Sequence, residues 1–228
     1  MLKCKNIFCI EGNIGAGKST VLGLIKERID PSKKIIYVHE PVDDFKISEI
    51  NGKTHYPLEA YYANPDKEAL PFQWWVLKCY EKTLQSLVTQ STSEHTILFD
   101  RGVYSSSVFA NALLYKDKIT PFGHSLFMNE LGTLLNKYFG NKIYGVDKMY
   151  MIDTPLDKCL RNIKTRNRKE EINTEVDGLL PYLLDLHYHY DDYISLFKAK
   201  KCPCSFRRNY FEEAGDTAND VVSFFELN

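Results

Sequence analysis

The chain of 228 residues lacks an excess of charge of either sign, because 29 lysines and arginines stand against 30 aspartates and glutamates. A protein that binds nucleic acid or an anionic membrane surface normally carries a strongly basic field. The net charge of −1 provides no such field. We therefore expect neither nucleic acid nor a membrane as a partner.

Long apolar runs are also missing, since no stretch approaches the roughly 20 apolar residues of a transmembrane helix. Met1-Leu2-Lys3-Cys4 leads almost directly into the first apolar run. Neither a signal peptide nor a transit peptide is therefore expected. The location that follows from this pattern is the cytoplasm.

The six cysteines lack the spacing of a zinc site. Cys202-Pro203-Cys204 has one residue between its cysteines instead of two, and it has no second pair. Scattered reduced thiols are typical of a cytoplasmic type of compartment. The length and the absence of repeats favour one domain over residues 1–228.

What the chain does have is a phosphate-binding pattern near its start. The pattern G-x-x-x-x-G-K-[ST] is filled by Gly12-Asn13-Ile14-Gly15-Ala16-Gly17-Lys18-Ser19, followed by Thr20. An apolar run over 7–10 precedes it, and apolar residues at helical spacing follow it. We expect these residues to bind ATP, with Lys18 on the β- and γ-phosphates and the Ser19 hydroxyl on Mg²⁺.

Strand and helix patterns alternate along the chain, which predicts an α/β fold with a parallel sheet. Strands are predicted near 6–11, 34–39, 96–100, 147–153 and 204–208. Helices are predicted near 18–29, 43–50, 56–63, 71–91, 103–115, 121–139, 155–169, 178–197 and 217–226. Ligands of such sheets bind at the carboxyl ends of the strands.

Two of these strand ends carry charged side chains. Glu40 follows the second strand and is placed to accept a proton from an attacking hydroxyl. Asp100 and Arg101 end the third strand, where an acid commonly reaches Mg²⁺ and an arginine clamps an oxygen. Each has a plain alternative: an exposed glutamate before a turn proline, and a structural ion pair.

Aromatic side chains cluster with one amide between these strands, over residues 58–80. Aromatic rings stack on planar bases, and the amide of Gln73 offers a donor and an acceptor side by side. The alternative is that the cluster only buries one helix face. We prefer that alternative for Trp74 and Trp75.

A basic run over 161–169 includes Arg166 and Arg168. Such a run is usually a solvated helix face. In a P-loop phosphotransferase such a run can instead form a lid whose arginines close over the transferring phosphoryl group.

Together these segments resemble the deoxyribonucleoside kinase family over roughly residues 5–195. The family comprises deoxycytidine, deoxyguanosine and mitochondrial-type thymidine kinases and the insect broad-specificity enzyme. The matching motifs are Glu11 to Ser19, Glu40-Pro41-Val42, Pro71-Phe72-Gln73, Asp100-Arg101-Gly102-Val103-Tyr104-Ser105, Arg166 to Glu171, and Tyr182 to His189.

The resemblance implies a P-loop kinase fold with a five-stranded parallel sheet and a short basic lid at about 162–176. It implies transfer of the ATP γ-phosphoryl to the 5′-hydroxyl of a deoxyribonucleoside, with Mg²⁺, in a homodimer formed through helices 71–91 and 121–139.

The resemblance also assigns roles to single residues. Glu40 is implied as the general base with the help of Arg101, and Lys18 and Arg166 complete the catalytic set. Gln73 is implied to read the base. Tyr62 and Glu171 are implied to hold the sugar 3′-hydroxyl. The other implied substrate contacts are Phe45, Val76, Tyr80, Ser106 and Phe109.

The chain departs from the family in three respects. The family has Glu-Arg-Ser in place of Asp100-Arg101-Gly102, and a tryptophan in place of Phe45. The stacking phenylalanine of the family lies nine residues after the arginine, whereas Phe109 lies eight after Arg101. Because one residue turns a helical side chain by about 100°, either a local adjustment restores Phe109 or Ala110 leaves a wider pocket.

Base preference follows from another difference. Deoxycytidine and deoxyguanosine kinases place an arginine and an aspartate over the base, where this chain has Tyr80 and Ser105 or Ser106. The pocket is therefore predicted to be pyrimidine-preferring or broad.

Two rival functions remain. Thymidylate kinase shares the loop and the Glu-Pro strand end but carries an arginine where this chain has His39. The other rival is a catalytically silent subunit with the same fold. It is disfavoured because the chain retains Lys18, Ser19, Glu40 and Arg101.

Overall fold

A five-stranded parallel sheet is the centre of the molecule. The computed structural model describes residues 1–50, 52–140, 142, 144–168, 176–199 and 204–227. Its strands are β1 (Asn6–Gly12), β2 (Ile35–Val38), β3 (Ser48–Ile50), β4 (Lys53–His55), β5 (Thr96–Asp100), β6 (Lys148–Ile152) and β7 (Ser205–Asn209). Within the described residues, five of them form a parallel sheet in the order β2-β5-β1-β6-β7. The predicted α/β fold with this sheet is confirmed.

Helices cover both faces of the sheet. They are α1 (Lys18–Arg28), α2 (Val42–Lys46), α3 (Pro57–Ala63), α4 (Pro65–Gln90), α5 (Ser106–Tyr115), α6 (Pro121–Phe139), α7 (Leu156–Arg166), α8 (Val176–Ala199) and α9 (Ala214–Phe225). Across the described ranges, none of them is both long and apolar enough to cross a membrane.

Alternate residues of the strands supply two separate cores, because successive side chains of a strand point to opposite faces. Phe8 and Ile10 pack with α1 and α9, and the Phe8 ring stacks on Phe225 at 4.8 Å between centroids. Ile7 and Cys9 pack with α4, α5, α6 and α8 on the other face. Apolar side chains on both faces are what a buried parallel strand requires.

The helix predicted over 43–50 is wrong in its second half. α2 ends at Lys46, and β3 then pairs with β4 in an antiparallel hairpin. Gly52 turns the chain there with φ +70°. Asn51-Gly52 in the sequence is typical of such a turn, and the helical spacing of neighbouring apolar residues hid it.

Two helix boundaries also differ from the prediction. α4 begins at Pro65 rather than at 71, because the Asn64 side chain caps it by accepting the N–H of Lys67 and a proline in the first turn needs no donor. The helix predicted over 103–115 divides into a 3₁₀ turn, Val103–Ser105, and α5.

The strand order brings one group of loops together. β1 lies between β5 and β6, and β2 lies beyond β5. Since all are parallel, the segments that follow β1, β2 and β5 meet at one edge of the sheet.

Candidate active site

A cavity of about 780 Å³ opens at this edge of the sheet. The predicted residues that line it are Ile14, Gly15, Ala16, Gly17, Lys18, Ser19, Thr20, Glu40, Phe45, Tyr62, Gln73, Val76, Tyr80, Asp100, Arg101, Ser106, Phe109, Arg166 and Arg168. Glu171 lies outside the described residues. The segments that follow the first three predicted strands therefore line one cavity.

The loop between β1 and α1 depends on two glycines in the left-handed region. Gly15 has φ +77° and Gly17 has φ +87°. A Cβ on Gly15 would lie 2.4 Å from the carbonyl oxygen of Cys159, whereas a Cβ on Gly17 would meet no atom within 4 Å. Gly15 is thus required by both conformation and space, and Gly17 by conformation alone.

Gly12 and Asn13 lie behind the loop and not in the lining of the cavity. A Cβ on Gly12 would lie 2.9 Å from the carbonyl oxygen of Ile152. The buried Asn13 donates from Nδ2 to the Leu183 carbonyl at 2.8 Å and accepts from the Ile14 N–H at 2.8 Å. These two residues fix the start of the loop against β6 and α8, and their contact with ATP stays a prediction.

Lys18 is a buried cation at the floor of the loop. Its Nζ donates to the carbonyl oxygens of Gly12 at 3.1 Å and Asn13 at 3.0 Å. Burial and the charge of Arg101 lower the pKa of Lys18 to about 8, although Asp100 partly offsets them. An anion that enters the cavity would stabilise the protonated form.

Ser19 and Asp100 form a pair of oxygen donors. The Ser19 hydroxyl donates to Asp100 Oδ2 at 2.5 Å. The other carboxylate oxygen, Oδ1, is buried and has no hydrogen-bond partner among the described residues. A hydroxyl beside an under-used carboxylate fits Mg²⁺, which typically takes one or two protein oxygens and completes its shell with phosphate and water.

Glu40 and Arg101 meet across the cavity from the ends of β2 and β5. Arg101 Nε lies 3.0 Å from Glu40 Oε1, at ion-pair distance, although its N–H points outside hydrogen-bond geometry. Burial alone would raise the pKa of Glu40, but the charges of Arg101 and Lys18 outweigh it and hold that pKa below its usual value. Glu40 is therefore ionised at neutral pH and able to accept a proton.

Arg101 itself has an unusual backbone. Its φ is +68°, a region that residues with a Cβ rarely adopt. Its guanidinium carbon lies 4.9 Å from the centroid of the Phe109 ring. Strain of this kind persists where the surroundings impose one geometry, often at functional sites.

Phe109 lines the cavity, whereas Ala110 is fully buried in the core. The 3₁₀ turn that precedes α5 has a different number of residues per turn from an α-helix, so it changes the rotation of the side chains that follow. Of the two arrangements that the spacing leaves open, the structure has the local adjustment that brings Phe109 to the pocket.

The side of the cavity that α2, α3, α4 and α5 line is largely aromatic. Gln73 is buried on α4 and lines the cavity. The Tyr80 hydroxyl is buried and has no hydrogen-bond partner in the described part of the chain, and burial raises its pKa well above the usual value. The Phe45 ring lies 6.3 Å from the Tyr80 ring, edge to face. This side thus presents flat apolar surfaces together with polar groups such as the Gln73 amide and the Tyr80 hydroxyl.

Trp74 and Trp75 do not line the cavity, as predicted. Trp74 packs edge to face on Phe127 of α6. Trp75 donates from Nε1 to the carbonyl oxygen of Asp44 at 3.0 Å. Both side chains hold α4 against its neighbours.

The predicted lid is described only in part. Arg166 is the last residue of α7, and both Arg166 and Arg168 line the cavity. Asn167 between them has φ +52°. Residues 169–175 lie outside the described ranges.

Sequence reasoning missed the contributions of α8 and of the segment after β7. The additional lining residues from these parts are Tyr182, Tyr210, Phe211, Glu212, Ala214 and Thr217. Residues 210–212 directly follow a strand of the parallel sheet. The strand-end rule that identified Glu40 and Arg101 would also have identified them.

The family model for deoxynucleoside kinases matches residues 8–223. The thymidine kinase of Ictalurid herpesvirus 1 (strain Auburn) is 29% identical over 189 residues, which cover 83% of this chain and 74% of the viral protein. Deoxycytidine kinase 2 of Gallus gallus is 29% identical over 199 residues, which cover 81% of this chain and 72% of the relative.

The fold has a solved counterpart in a deoxyadenosine kinase from M. mycoides with the products dCMP and dCDP bound. That structure matches with a TM-score of 0.71 and covers 97% of this chain and 100% of its own. At 18% sequence identity, this likeness shows the fold alone.

Proposed function

Because this chain belongs to the deoxynucleoside kinase family, an enzyme family that phosphorylates nucleosides on the 5′-hydroxyl, we propose that Glu40 is its general base. The observation that carries this proposal is the Glu40–Arg101 ion pair in the same cavity as the phosphate loop. An ionised carboxylate at that position accepts the proton of the 5′-hydroxyl as the hydroxyl attacks phosphorus. Arg101 holds the carboxylate in place.

The donor is ATP, as the family implies. Its phosphates bind the backbone N–H groups of the loop and the ammonium group of Lys18. We assign Arg166 and Arg168 to the transferring phosphoryl group, because both line the cavity from the lid side. Positive charge there stabilises the charge that spreads over the phosphoryl oxygens in the transition state.

Ser19 and Asp100 are the proposed Mg²⁺ ligands, because they place a hydroxyl and a carboxylate oxygen without another partner at the mouth of the loop. Mg²⁺ held by these residues would neutralise the negative charge that develops on the phosphates during transfer. Asp100 is one methylene shorter than the family's glutamate, so its reach toward the metal is shorter.

The proposed acceptor is a deoxyribonucleoside, with either a preference for pyrimidine bases or a broad specificity. Gln73 reads the base edge, and Phe109 stacks on the base. The polar groups at the far side of the pocket are the hydroxyls of Tyr80 and Ser106 rather than a charged pair. The sugar is assigned to Tyr62, with Phe45 and Val76 as apolar contacts, and to Glu171 by family resemblance alone.

A homodimer through α4 and α6 is also proposed. These helices pack together, as the Trp74–Phe127 contact shows, and α6 exposes the large apolar side chains of Phe122 and Leu126 about one helical turn apart. Exposed apolar side chains grouped on a surface often mark an interface. One domain over 1–228 and location in the cytoplasm remain predictions.

The rival functions fit less well. A thymidylate kinase accepts a nucleotide that already carries a phosphate, so it needs extra cations beside the Glu-Pro strand end, and this chain has His39 there. A silent subunit has no need of a charge-compensated set in which the buried Lys18 and Arg101 lie beside the carboxylate of Glu40.

The test is a panel of acceptors with γ-labelled ATP and Mg²⁺. It comprises thymidine, deoxycytidine, deoxyadenosine, deoxyguanosine and their monophosphates. We expect labelling of nucleosides, led by thymidine or deoxycytidine. Labelling of dTMP but of no nucleoside would establish a thymidylate kinase, and labelling of no acceptor would favour the silent subunit.

A further inference from the structure

Glu11 is a fully buried carboxylate that the catalytic assignments leave without a role. It is the residue of β1 just before the phosphate loop, its exposure is 0%, and it does not line the cavity. A buried carboxylate is costly unless it is paired and hydrogen-bonded. Its contacts therefore indicate what it does.

One oxygen of Glu11 holds the turn after β5. Oε1 accepts the backbone N–H of Gly102 at 2.7 Å and the thiol of Cys9 at 3.3 Å. Gly102 follows Arg101, whose backbone N–H donates to the Ile10 carbonyl at 3.0 Å. The contact thus stabilises the turn in which Arg101 adopts its positive φ.

The other oxygen of Glu11 faces the guanidinium of Arg101. Oε2 lies 3.9 Å from Arg101 Nη1 and accepts the hydroxyl of Tyr190 at 3.4 Å. The same hydroxyl accepts a hydrogen bond from Arg101 Nη1. Tyr190, on α8 and 1% exposed, therefore bridges the arginine and the carboxylate.

Arg101 is consequently held on two sides. Its Nε edge faces Glu40 in the cavity, and its Nη1 faces Tyr190 and Glu11 behind the cavity. Burial raises the pKa of Glu11, and the charge of Arg101 opposes this most strongly. An arginine with one fixed edge presents the other edge in a defined direction.

We propose that Glu11 and the hydroxyl of Tyr190 are positioning residues, which fix Arg101 so that it holds Glu40 in line with the acceptor hydroxyl. The inference rests on the proposed function, because it assumes that Glu40 and Arg101 serve catalysis. It also couples the two halves of the site, since Glu11 directly precedes the loop that binds ATP. Neither residue touches substrate.

The alternative is a purely structural role, in which Glu11 and Tyr190 only stabilise the sheet and α8. The two roles differ in what they change. Loss of positioning lowers kcat at full substrate saturation, whereas loss of stability lowers the melting temperature and leaves the kcat of folded enzyme unchanged.

The decisive variant is Tyr190→Phe, which removes one hydroxyl and leaves the Glu11–Gly102 hydrogen bond in place. We expect kcat to fall roughly 5- to 50-fold, with the KM for ATP within about twofold, in line with the range of coupling energies between residues of one network. Glu11→Gln, which keeps size and an acceptor oxygen, should lower kcat by a similar factor. Glu11→Asp should also have a kcat below that of the wild type, because the shorter side chain cannot reach both Gly102 and Tyr190.

The matched control is Tyr150→Phe. Tyr150 is also fully buried, and its hydroxyl donates to the carboxylate of Asp220 at 2.6 Å outside the cavity. This variant should lose stability but keep its kcat. The double variant Glu11→Gln/Tyr190→Phe should be no slower than the slower single variant by more than about twofold, because both act through Arg101.

The inference is overturned if folded Tyr190→Phe has the kcat of the wild type, or if the two single effects multiply in full. These outcomes are separate from failure of the proposed function, which the wild-type enzyme would show by labelling no nucleoside. Glu40→Gln with undiminished turnover would likewise remove the catalytic assignment itself.

Discussion

The two halves of the cavity are built in different ways. The proposed donor half is built mainly on one continuous segment, residues 14–20, whose backbone conformation forms the cradle, with Arg166 and Arg168 on its lid side. The acceptor half is assembled from side chains on α2, α3, α4, α5 and the ends of β2 and β5. The first is therefore sensitive to backbone shape, and the second to individual side chains.

This difference explains which family motif residues the chain retains and which it replaces. A cradle of N–H groups works only in one loop conformation, so every fixed position of the loop pattern is filled. Side chains from separate elements are exchanged one at a time, as with Phe45, Tyr80 and Asp100. Base preference is accordingly expected to lie in the acceptor half alone.

The largest effect is expected in the acceptor half, for Glu40→Gln. The amide keeps the shape of the side chain but cannot accept the proton, so kcat should fall roughly 10²- to 10⁴-fold, the usual contribution of a general base. The KM for the nucleoside and the KM for ATP should change little. Steady-state kinetics with the preferred nucleoside measures all three quantities.

The matched variant for Glu40→Gln is Lys18→Ala in the donor half. This variant lacks the ammonium group that binds the ATP phosphates, so it should lose most of its phosphoryl transfer activity and have a raised KM for ATP. If Glu40→Gln instead raised the KM for ATP and left kcat unchanged, the division of the cavity into two halves would be wrong.

The next effect tests the backbone of the donor half, with Gly15→Ala compared with Gly17→Ala. Both add a Cβ at positive φ, which costs about 1–2 kcal/mol of folding free energy. Gly15→Ala also forces a clash with the Cys159 carbonyl, so it should be destabilised by about 2–5 kcal/mol in total. Denaturant unfolding of the two variants measures the difference.

Equal stability of the two glycine variants would contradict the close approach of the loop to α7. The nucleoside KM of the folded Gly17→Ala variant should remain that of the wild type, because the change lies in the donor half. A raised nucleoside KM in Gly17→Ala would show that the loop also affects nucleoside binding, and the division of the cavity into two halves would be wrong.

The smallest effect is expected for Phe109→Ala. Loss of a stacking ring costs about 1–3 kcal/mol per base, so the nucleoside KM should rise roughly 5- to 150-fold, with the KM for ATP unchanged. Tyr115→Ala is the control, because Tyr115 lies on the same helix as Phe109, is 71% exposed and does not line the cavity. A wild-type nucleoside KM in Phe109→Ala would show that Phe109 supports Arg101 and not the base.

The candidate site was predictable where a function depends on residues that are neighbours in sequence or that end a strand. The loop, Glu40, Asp100 and Arg101 are all of this kind. Glu11 and Tyr182 begin matching motifs but received no role, and Tyr190 was not singled out, because a carboxylate inside a strand and tyrosines along a helix have no local signal. Tyr210–Glu212 had the strand-end signal but lay outside residues 5–195, over which the sequence motifs were matched.

The sequence by itself determined the fold class, the parallel sheet and the phosphate loop, because periodicity and glycine placement act over a few residues. Only the tertiary structure decided that a 3₁₀ turn brings Phe109 to the pocket and that Gly12 and Asn13 stand behind the loop. It alone also decided that Glu11 and Tyr190 enclose Arg101. These features depend on contacts between residues up to 179 positions apart, and packing, not local pattern, sets such contacts.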